Sequence, residues 1–442
     1  MPELDSAMLS RLLTSLTLGF HIIFATLGVG VPLLISGAEW IGIRRNDPHY
    51  RLLARRWTRG FVVTVAVGVV TGTCIGLQLS LLWPSFMEVA GQVIGLPLFL
   101  ETFAFFFEAI FLGIYLYTWD RFENPYYHWL ISVPVVIGSS ASAFFISTVN
   151  AFMNAPKGFK LDNGKLTEIQ PLVAMFNPAT PTKAAHVISS AYLTSAFVLA
   201  AVTAFLILKK GQTEYYKKAL HFTMVTAFVF AIATAIIGDF SGKYLAKYQP
   251  EKLAAAEWHF ETEKGADLIV GGVLDENGEV KYALRLPKFL SILAHGDPNA
   301  EVIGLEEFPK EETAPLFIHY LFDLMVGIGM FLAALSTLYL VLQRWNRSWH
   351  HSRVFLWAIV ASGPLSMLAI EAGWIFSEVG RQPWILWHVM KTVEGATTSD
   401  HVGAMFLLFL GLYIVLGWIC TVVLLKMFKD NPVETEFEQM ER

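Results

Sequence analysis

Long apolar runs alternate with polar segments along almost the whole chain. Nine of them, at residues 9–37, 58–83, 95–119, 128–153, 184–209, 219–240, 315–343, 354–378 and 403–427, are each long enough to cross about 30 Å of hydrocarbon as a helix. Only helices or closed barrels satisfy their backbone inside lipid, and runs this long predict helices. The expectation is an all-α membrane protein, a bundle of nine transmembrane helices with a long outer-face loop between helices 6 and 7. Residues 1–240 then carry helices 1–6, residues 241–314 form the loop, and residues 315–442 carry helices 7–9 and a cytoplasmic tail. Asp275-Glu-Asn-Gly278 inside that loop suits a hairpin turn. The apolar patches Ala254–Ala256 and Leu284–Leu293 predict some packed structure there. A second polar stretch, 154–183, contains the turn-like Asp162-Asn163-Gly164.

Orientation follows from cations in the short loops, because Lys and Arg are retained on the cytoplasmic side. Arg44, Arg45, Arg51, Arg55, Arg56 and Arg59 lie in the first loop, and Lys209, Lys210, Lys217 and Lys218 in the fifth. The seventh holds Arg344, Arg347 and Arg353, and Lys426 and Lys429 follow the last run. With nine spans all of these share one side, so the N-terminus is expected outside and the C-terminus in the cytoplasm. Lys157, Lys160, Lys165 and Lys183 in the fourth loop run against this pattern.

Composition narrows the class further. The mean hydropathy is +0.51 and only 16% of the 442 residues are charged, which excludes an ordinary soluble domain. There is no basic patch of the kind nucleic acid requires. Cys74 and Cys420 both fall in apolar runs, which argues against disulfides and thiolate metal sites. Glu3 and Asp5 precede Arg11 where a cleaved signal would be basic, so the N-terminal run is expected to be retained. No internal repeat is evident, which counts against a transporter built from inverted halves.

The most informative stretch runs from Glu371 to Trp384. Glu371 and Glu378 sit seven residues apart, on one helix face and roughly 10 Å apart along the axis. A carboxylate at membrane depth is costly unless something pairs with it. Gly380, Arg381 and Pro383 then break the helix and bring in a cation. This reads as a ligand or proton site, against the plainer reading of a helix end reaching the headgroups. Glu101 and Glu108 repeat the seven-residue spacing among aromatics. Proton carriage, ligation of a metal by one of them, and two hydrogen-bonded core acids all stay open. His21 lies alone in the first run, where a helix–helix hydrogen bond is commoner than ligation. His186 and Met325 come out at similar outer depth, and a His/Met pair is the axial set of a six-coordinate haem. Methionine is ordinary core filler, so the depth match is only suggestive.

Several segments together carry a family likeness: Leu18–Phe24 around His21; Glu101–Glu108; Asn150-Ala-Phe-Met-Asn-Ala-Pro156; the region of His186; Gly238-Asp-Phe-Ser-Gly242; Lys252 to Glu257; Met325-Val-Gly327; and Glu371–Glu378 with Gly380-Arg-Gln-Pro-Trp384. In this order, over essentially the whole chain, they resemble subunit I of cytochrome bd ubiquinol oxidase, of the type with a short quinol loop. The resemblance implies a bacterial cytoplasmic-membrane enzyme that oxidises quinol at the outer face and reduces dioxygen to water with protons from the cytoplasm, without a pump. It implies three cofactors: a low-spin haem b, a high-spin haem b and a haem d. His186 and Met325 would hold the low-spin haem; His21 and Glu378 would serve the two high-spin haems, with Glu101 at or beside an iron. Glu108 and Ser140 would lie on the proton route and Trp374 between haems. Arg381 would pair haem propionates, with Arg11 as a further candidate. Lys252 and Glu257 would belong to the quinol site, with Asp239 near the start of its loop. Partners would be a second large membrane subunit, with a single-span peptide as a further candidate. One departure stands out: some members carry Arg two residues before the axial Met, where this chain has Asp323.

Three rival classes remain. A secondary transporter would use buried Glu and His for substrate and protons, but would not explain the ordered motifs. A haem–copper oxidase needs an adjacent pair of span histidines, and His350-His351 lies in a basic loop. A purely structural subunit would not retain so many buried carboxylates.

Overall fold

The computed structural model describes residues 5–162, 165–275, 278–345 and 349–441. Among them, nine helices are long and apolar enough to span a membrane. They are span 1 (Ser6–Arg44), span 2 (Pro48–Leu82), span 3 (Pro84–Tyr117), span 4 (Pro125–Asn154), span 5 (Thr180–Lys210), span 6 (Glu214–Tyr248), span 7 (Ile318–Trp345), span 8 (Arg353–Val379) and span 9 (Val402–Asp430). Most outrun the apolar segments at one or both ends. Local chemistry sets the ends: Asp5, Asp47, Asn124, Thr213 and Ser352 accept first-turn backbone N–H groups, and Pro48, Pro84 and Pro125 start their helices. Span 6 continues to Tyr248, so Asp239 lies inside a helix, where it pairs with Lys243.

Span 5 is the centre of the bundle. Its apolar window is 61% buried, against 17% for spans 2 and 9 at the periphery. Spans 1, 4, 6 and 8 surround it. Small residues permit the close approach. A Cβ on Gly30 would sit 2.2 Å from the Ser195 hydroxyl oxygen, and one on Gly363 would sit 2.7 Å from the Ala201 Cβ.

The basic loops meet at one end of the bundle. Lys218 donates to Asp47 at 2.5 Å, Arg55 to Asp120 at 3.3 Å, and Arg56 and Arg59 pair with Glu436 of the C-terminal helix at 3.0 and 2.8 Å. The shared side expected for these loops is therefore their shared place in the fold; Arg347 and Glu3 lie outside the described residues.

At the other end the segment between spans 6 and 7 is folded. A helix (Pro250–Ala256), three antiparallel strand pairs and a second helix (Phe289–His295) pack through Leu253, Ala255, Ala256, Ala266, Leu290, Val302 and Phe376. Strands Val273–Leu274 and Val280–Lys281 flank the expected hairpin turn, whose Glu276 and Asn277 lie outside the described residues. Likewise Lys160–Asp162 pairs with Lys165–Thr167 around the undescribed Asn163 and Gly164. After span 8 the chain passes a cis Gln382–Pro383 bond into a hairpin of Trp384–Leu386 with Met390–Lys391.

Candidate functional site

Span 8 ends in a network of charges. Glu378 accepts from the Asn150 amide at 2.5 Å on one oxygen and from Arg381 at 2.6 Å on the other. Lys183 donates to Asn150 Oδ1 at 2.6 Å and to the Ser377 hydroxyl at 3.2 Å. Lys252 reaches the Ser377 carbonyl at 3.0 Å and lies 4.9 Å from the Phe376 ring centre. Four elements thus converge: the end of span 4, the start of span 5, the helix Pro250–Ala256 and the end of span 8. Gly380 is needed there, since a Cβ would lie 2.6 Å from both Lys252 Cε and the Phe376 carbonyl oxygen. Burial, then the nearby Arg381 charge, pulls Lys252 down to about 7. Lys183, which ran against the charge rule, is not a free loop cation; it is committed to this network.

Glu257 caps the same short helix. It is 2% exposed, and its Oε2 has no protein partner. Burial, reinforced by the Asp323 charge, pushes it up to about 8. Asp323 in turn accepts the Gly271 N–H at 2.5 Å, so it pins the loop against span 7.

Deeper in the bundle, His186 lies six residues into span 5 and Met325 seven into span 7, from helix starts at the same end. The His186 Nδ1 is buried without a protein partner, and a Cβ on Gly238 would come 3.7 Å from its ring. The Met325 sulfur faces Gly373 of span 8, where a Cβ would sit 2.9 Å from it. Glu371 has one buried oxygen without a partner and its other near Gly19 of span 1. His21 hydrogen-bonds the Thr71 hydroxyl at 2.9 Å and faces Gly72 of span 2. Trp374 is half-buried on span 8, and Arg11 lies exposed near the start of span 1.

The paired acids of span 3 both face span 4. Glu101 accepts from Ser142 at 2.8 Å, and Glu108 packs on Gly138, where a Cβ would be 2.9 Å from its own. Ser140 points elsewhere, 2.5 Å from the Tyr192 hydroxyl of span 5.

Buried polar atoms in native proteins are nearly all paired. Four atoms that lack a protein partner lie on spans 5 and 8 and the segment just after: His186 Nδ1, Glu371 Oε1, Arg381 Nη1 and Trp384 Nε1. Among the described residues no group of three His, Cys, Asp or Glu forms a metal cage. A porphyrin iron needs only one or two side-chain ligands, and its propionates need donors such as Arg381 Nη1 and Trp384 Nε1. Glu378 keeps 34% of its side chain accessible and a spare lone pair on each oxygen. The donor set fits haem. The sequence pattern alone assigns Asn150 no role and leaves Lys183 among the loop charges. The signal available was a polar residue within an apolar run and a lysine three positions before His186.

The chain matches the family described as cytochrome bd terminal oxidase subunit I over residues 9–432. It is 43% identical to a Bacillus subtilis (strain 168) protein provisionally named cytochrome bd menaquinol oxidase subunit I, covering 99% of this chain and 100% of that one. It is 29% identical to the cytochrome bd ubiquinol oxidase subunit 1 of the same organism, covering 98% and 97%. Among solved structures it is similar to a bd oxidase from Geobacillus thermodenitrificans, with 63% identity, a TM-score of 0.94, and coverage of 98% of this chain and 100% of that one.

Proposed function

Since this chain belongs to the cytochrome bd terminal oxidase subunit I family, and is therefore a subunit of a quinol oxidase, we propose that the polar groups described above divide into a quinol site, a set of haem holders and a proton route. The family match over residues 9–432 carries this reading. Bound haems supply one-electron transfer and the reduction of dioxygen. His186 and Met325 would hold the low-spin haem b, which would supply electron transfer. His21 and Glu378 would hold the two high-spin haems, the second haem b and haem d, with Glu101 at or beside one iron. Arg381 would pair haem propionates, and Trp374 would serve between the haems.

Quinol binds in the folded loop, at the face opposite the basic loops. There Lys252 orients the headgroup and Glu257 accepts a proton. A carboxylate with a raised pKa is a stronger base than an exposed one, and it titrates near the working pH. Protons from quinol leave outward, while those for water enter from the basic side past Ser140, Glu108 and Glu101. Separate release and uptake store energy without a pump. A second large subunit, with a single-span peptide as a further candidate, completes the complex in the bacterial cytoplasmic membrane, with the N-terminus outside and the C-terminus in the cytoplasm. The buried Lys252 and Glu257 side chains, each 2% exposed in a packed loop, support a binding pocket over a flexible connector.

The absorption spectrum of the purified complex tests the reading at once: haem d absorbs in the red, and a transporter would be colourless. Met325→Leu converts the low-spin signal to high-spin. An unchanged spectrum removes Met325 from the ligand set.

A further inference from the structure

The first turn of span 7 grips the folded loop through one buried ring. His319 is 0% exposed. Its Nδ1 lies 2.7 Å from the Ala256 carbonyl oxygen. Its Nε2 lies 3.2 Å from the Gly271 carbonyl oxygen and 3.3 Å from Asp323 Oδ2. Carbonyl and carboxylate oxygens only accept, and a bare ring nitrogen facing them would set lone pair against lone pair. Both nitrogens therefore carry hydrogen, and His319 is an imidazolium. A buried cation persists only where its charge and its donors are matched. Here Asp323 supplies the opposite charge and the two carbonyls take the hydrogen bonds. The Trp258 ring adds a flat π-face, stacked at 4.1 Å with the planes 21° apart.

These contacts bracket Glu257. Ala256 precedes it and Trp258 follows it, so His319 holds the peptide on one side and the ring on the other. Trp258 needs such support, because its φ of 48° is a left-handed conformation that bulky side chains rarely adopt. Its indole nitrogen donates to the Leu316 carbonyl at 2.8 Å. Tyr320 meets its ring at a near right angle, 5.1 Å between centres, and donates to the Gly272 carbonyl at 3.1 Å. The His319 charge also opposes that of Asp323, which together with burial pushes Glu257 up. The other titratable groups on this stretch of the loop are engaged elsewhere: His259 with the Val302 carbonyl at 3.0 Å, and Lys252 with the Ser377 carbonyl at 3.0 Å.

We propose that His319 is a positioning residue for quinol oxidation, a buried cation that fixes Glu257 in the quinol site and balances the Asp323 charge beside it. It acts through the backbone and the field at Glu257, and exchanges no proton with quinol. The proposal rests on the reading of Glu257 as the acceptor of the quinol proton. It adds the residue that sets where that acceptor stands and when it is ionised.

The test uses the purified, haem-loaded complex and reads the rate of quinol oxidation against pH, with haem spectra as control. In His319→Gln the Asp323 charge loses its counterion and Glu257 ionises less readily, so the rising limb should move up by about one pH unit. At neutral pH that leaves roughly tenfold less ionised carboxylate and a rate lower by the same factor. Asp323→Asn moves the limb the other way, and the double variant His319→Gln/Asp323→Asn should bring it back towards its wild-type position. A clamp with only a structural role would lower thermal stability and leave the limb in place; a His319→Gln limb that coincides with wild type overturns the proposal. Should His319→Gln fail to assemble alone, the double variant buries no unpaired charge and is read against Asp323→Asn. The limb must then lie at higher pH in the double variant, and coincident limbs overturn the proposal. Failure of the underlying reading shows itself separately, as turnover that survives in Glu257→Gln, and the positioning role then falls with it.

Discussion

Glu257→Gln separates a chemical role from a structural one. Holding the carboxyl at about 8, against an ordinary 4.5, disfavours the ionised form in place by roughly 5 kcal/mol. At pH 7 the folded protein therefore keeps this group mostly as a neutral acid. Glutamine has the same shape and no charge, so replacing a neutral acid costs little, about 1 kcal/mol or less, and the Oε2 it replaces makes no protein hydrogen bond to lose. Haem content and thermal stability should be preserved. As an acceptor of the quinol proton, however, glutamine is useless, and loss of a positioned base costs roughly 100- to 10,000-fold in rate. The assay is steady-state quinol oxidation by the purified complex, with the haem spectrum as control. The wild-type rate should climb as pH rises towards 8, because only the ionised carboxylate accepts a proton. Asp323→Asn removes a negative charge that helps hold Glu257 up, so the rising limb should move to lower pH. Turnover in Glu257→Gln within a few-fold of wild type would refute the assignment of this loop to quinol chemistry. A limb that stays put in Asp323→Asn would refute the electrostatic account.

Three further outcomes follow from the packing. Gly380→Ala should weaken quinol oxidation without removing haem, since the added Cβ, 2.6 Å from Lys252 Cε, displaces that side chain; steady-state kinetics with spectral haem quantitation checks it. Gly30→Ala should destabilise the complex by about 1–3 kcal/mol, because spans 1 and 5 must separate to relieve a 2.2 Å contact with Ser195; thermal unfolding in detergent reads the loss. Arg381→Gln removes the 2.6 Å partner of Glu378 and should lower high-spin haem content while sparing the low-spin signal, as measured by reduced-minus-oxidised spectra.

Much of the architecture is legible in the amino-acid sequence. Nine apolar runs of membrane length leave one way to satisfy the backbone in lipid, and cation-rich loops sort the ends, as the Lys218–Asp47 and Arg56–Glu436 pairs bear out. The seven-residue spacing of Glu101 and Glu108 placed both on the stripe that faces span 4, because helical periodicity is local. Helix ends were less legible: Asp47 with Pro48 and Asn124 with Pro125 extend helices into polar sequence, where hydropathy carries no signal.

What no linear reading provides is which distant groups meet. Lys183 was a loop charge until Ser377, 194 positions away, came within 3.2 Å of it. Glu39 and His128, 89 residues apart, become one buried unit only because spans 1 and 4 pack against each other. The pattern of apolar residues along the chain thus determined the spans, since those depend on the solvent each segment tolerates. The pairing of buried charges was decided by tertiary structure alone, because desolvation is offset only by a partner in space, and distance along the chain says nothing of distance across the bundle.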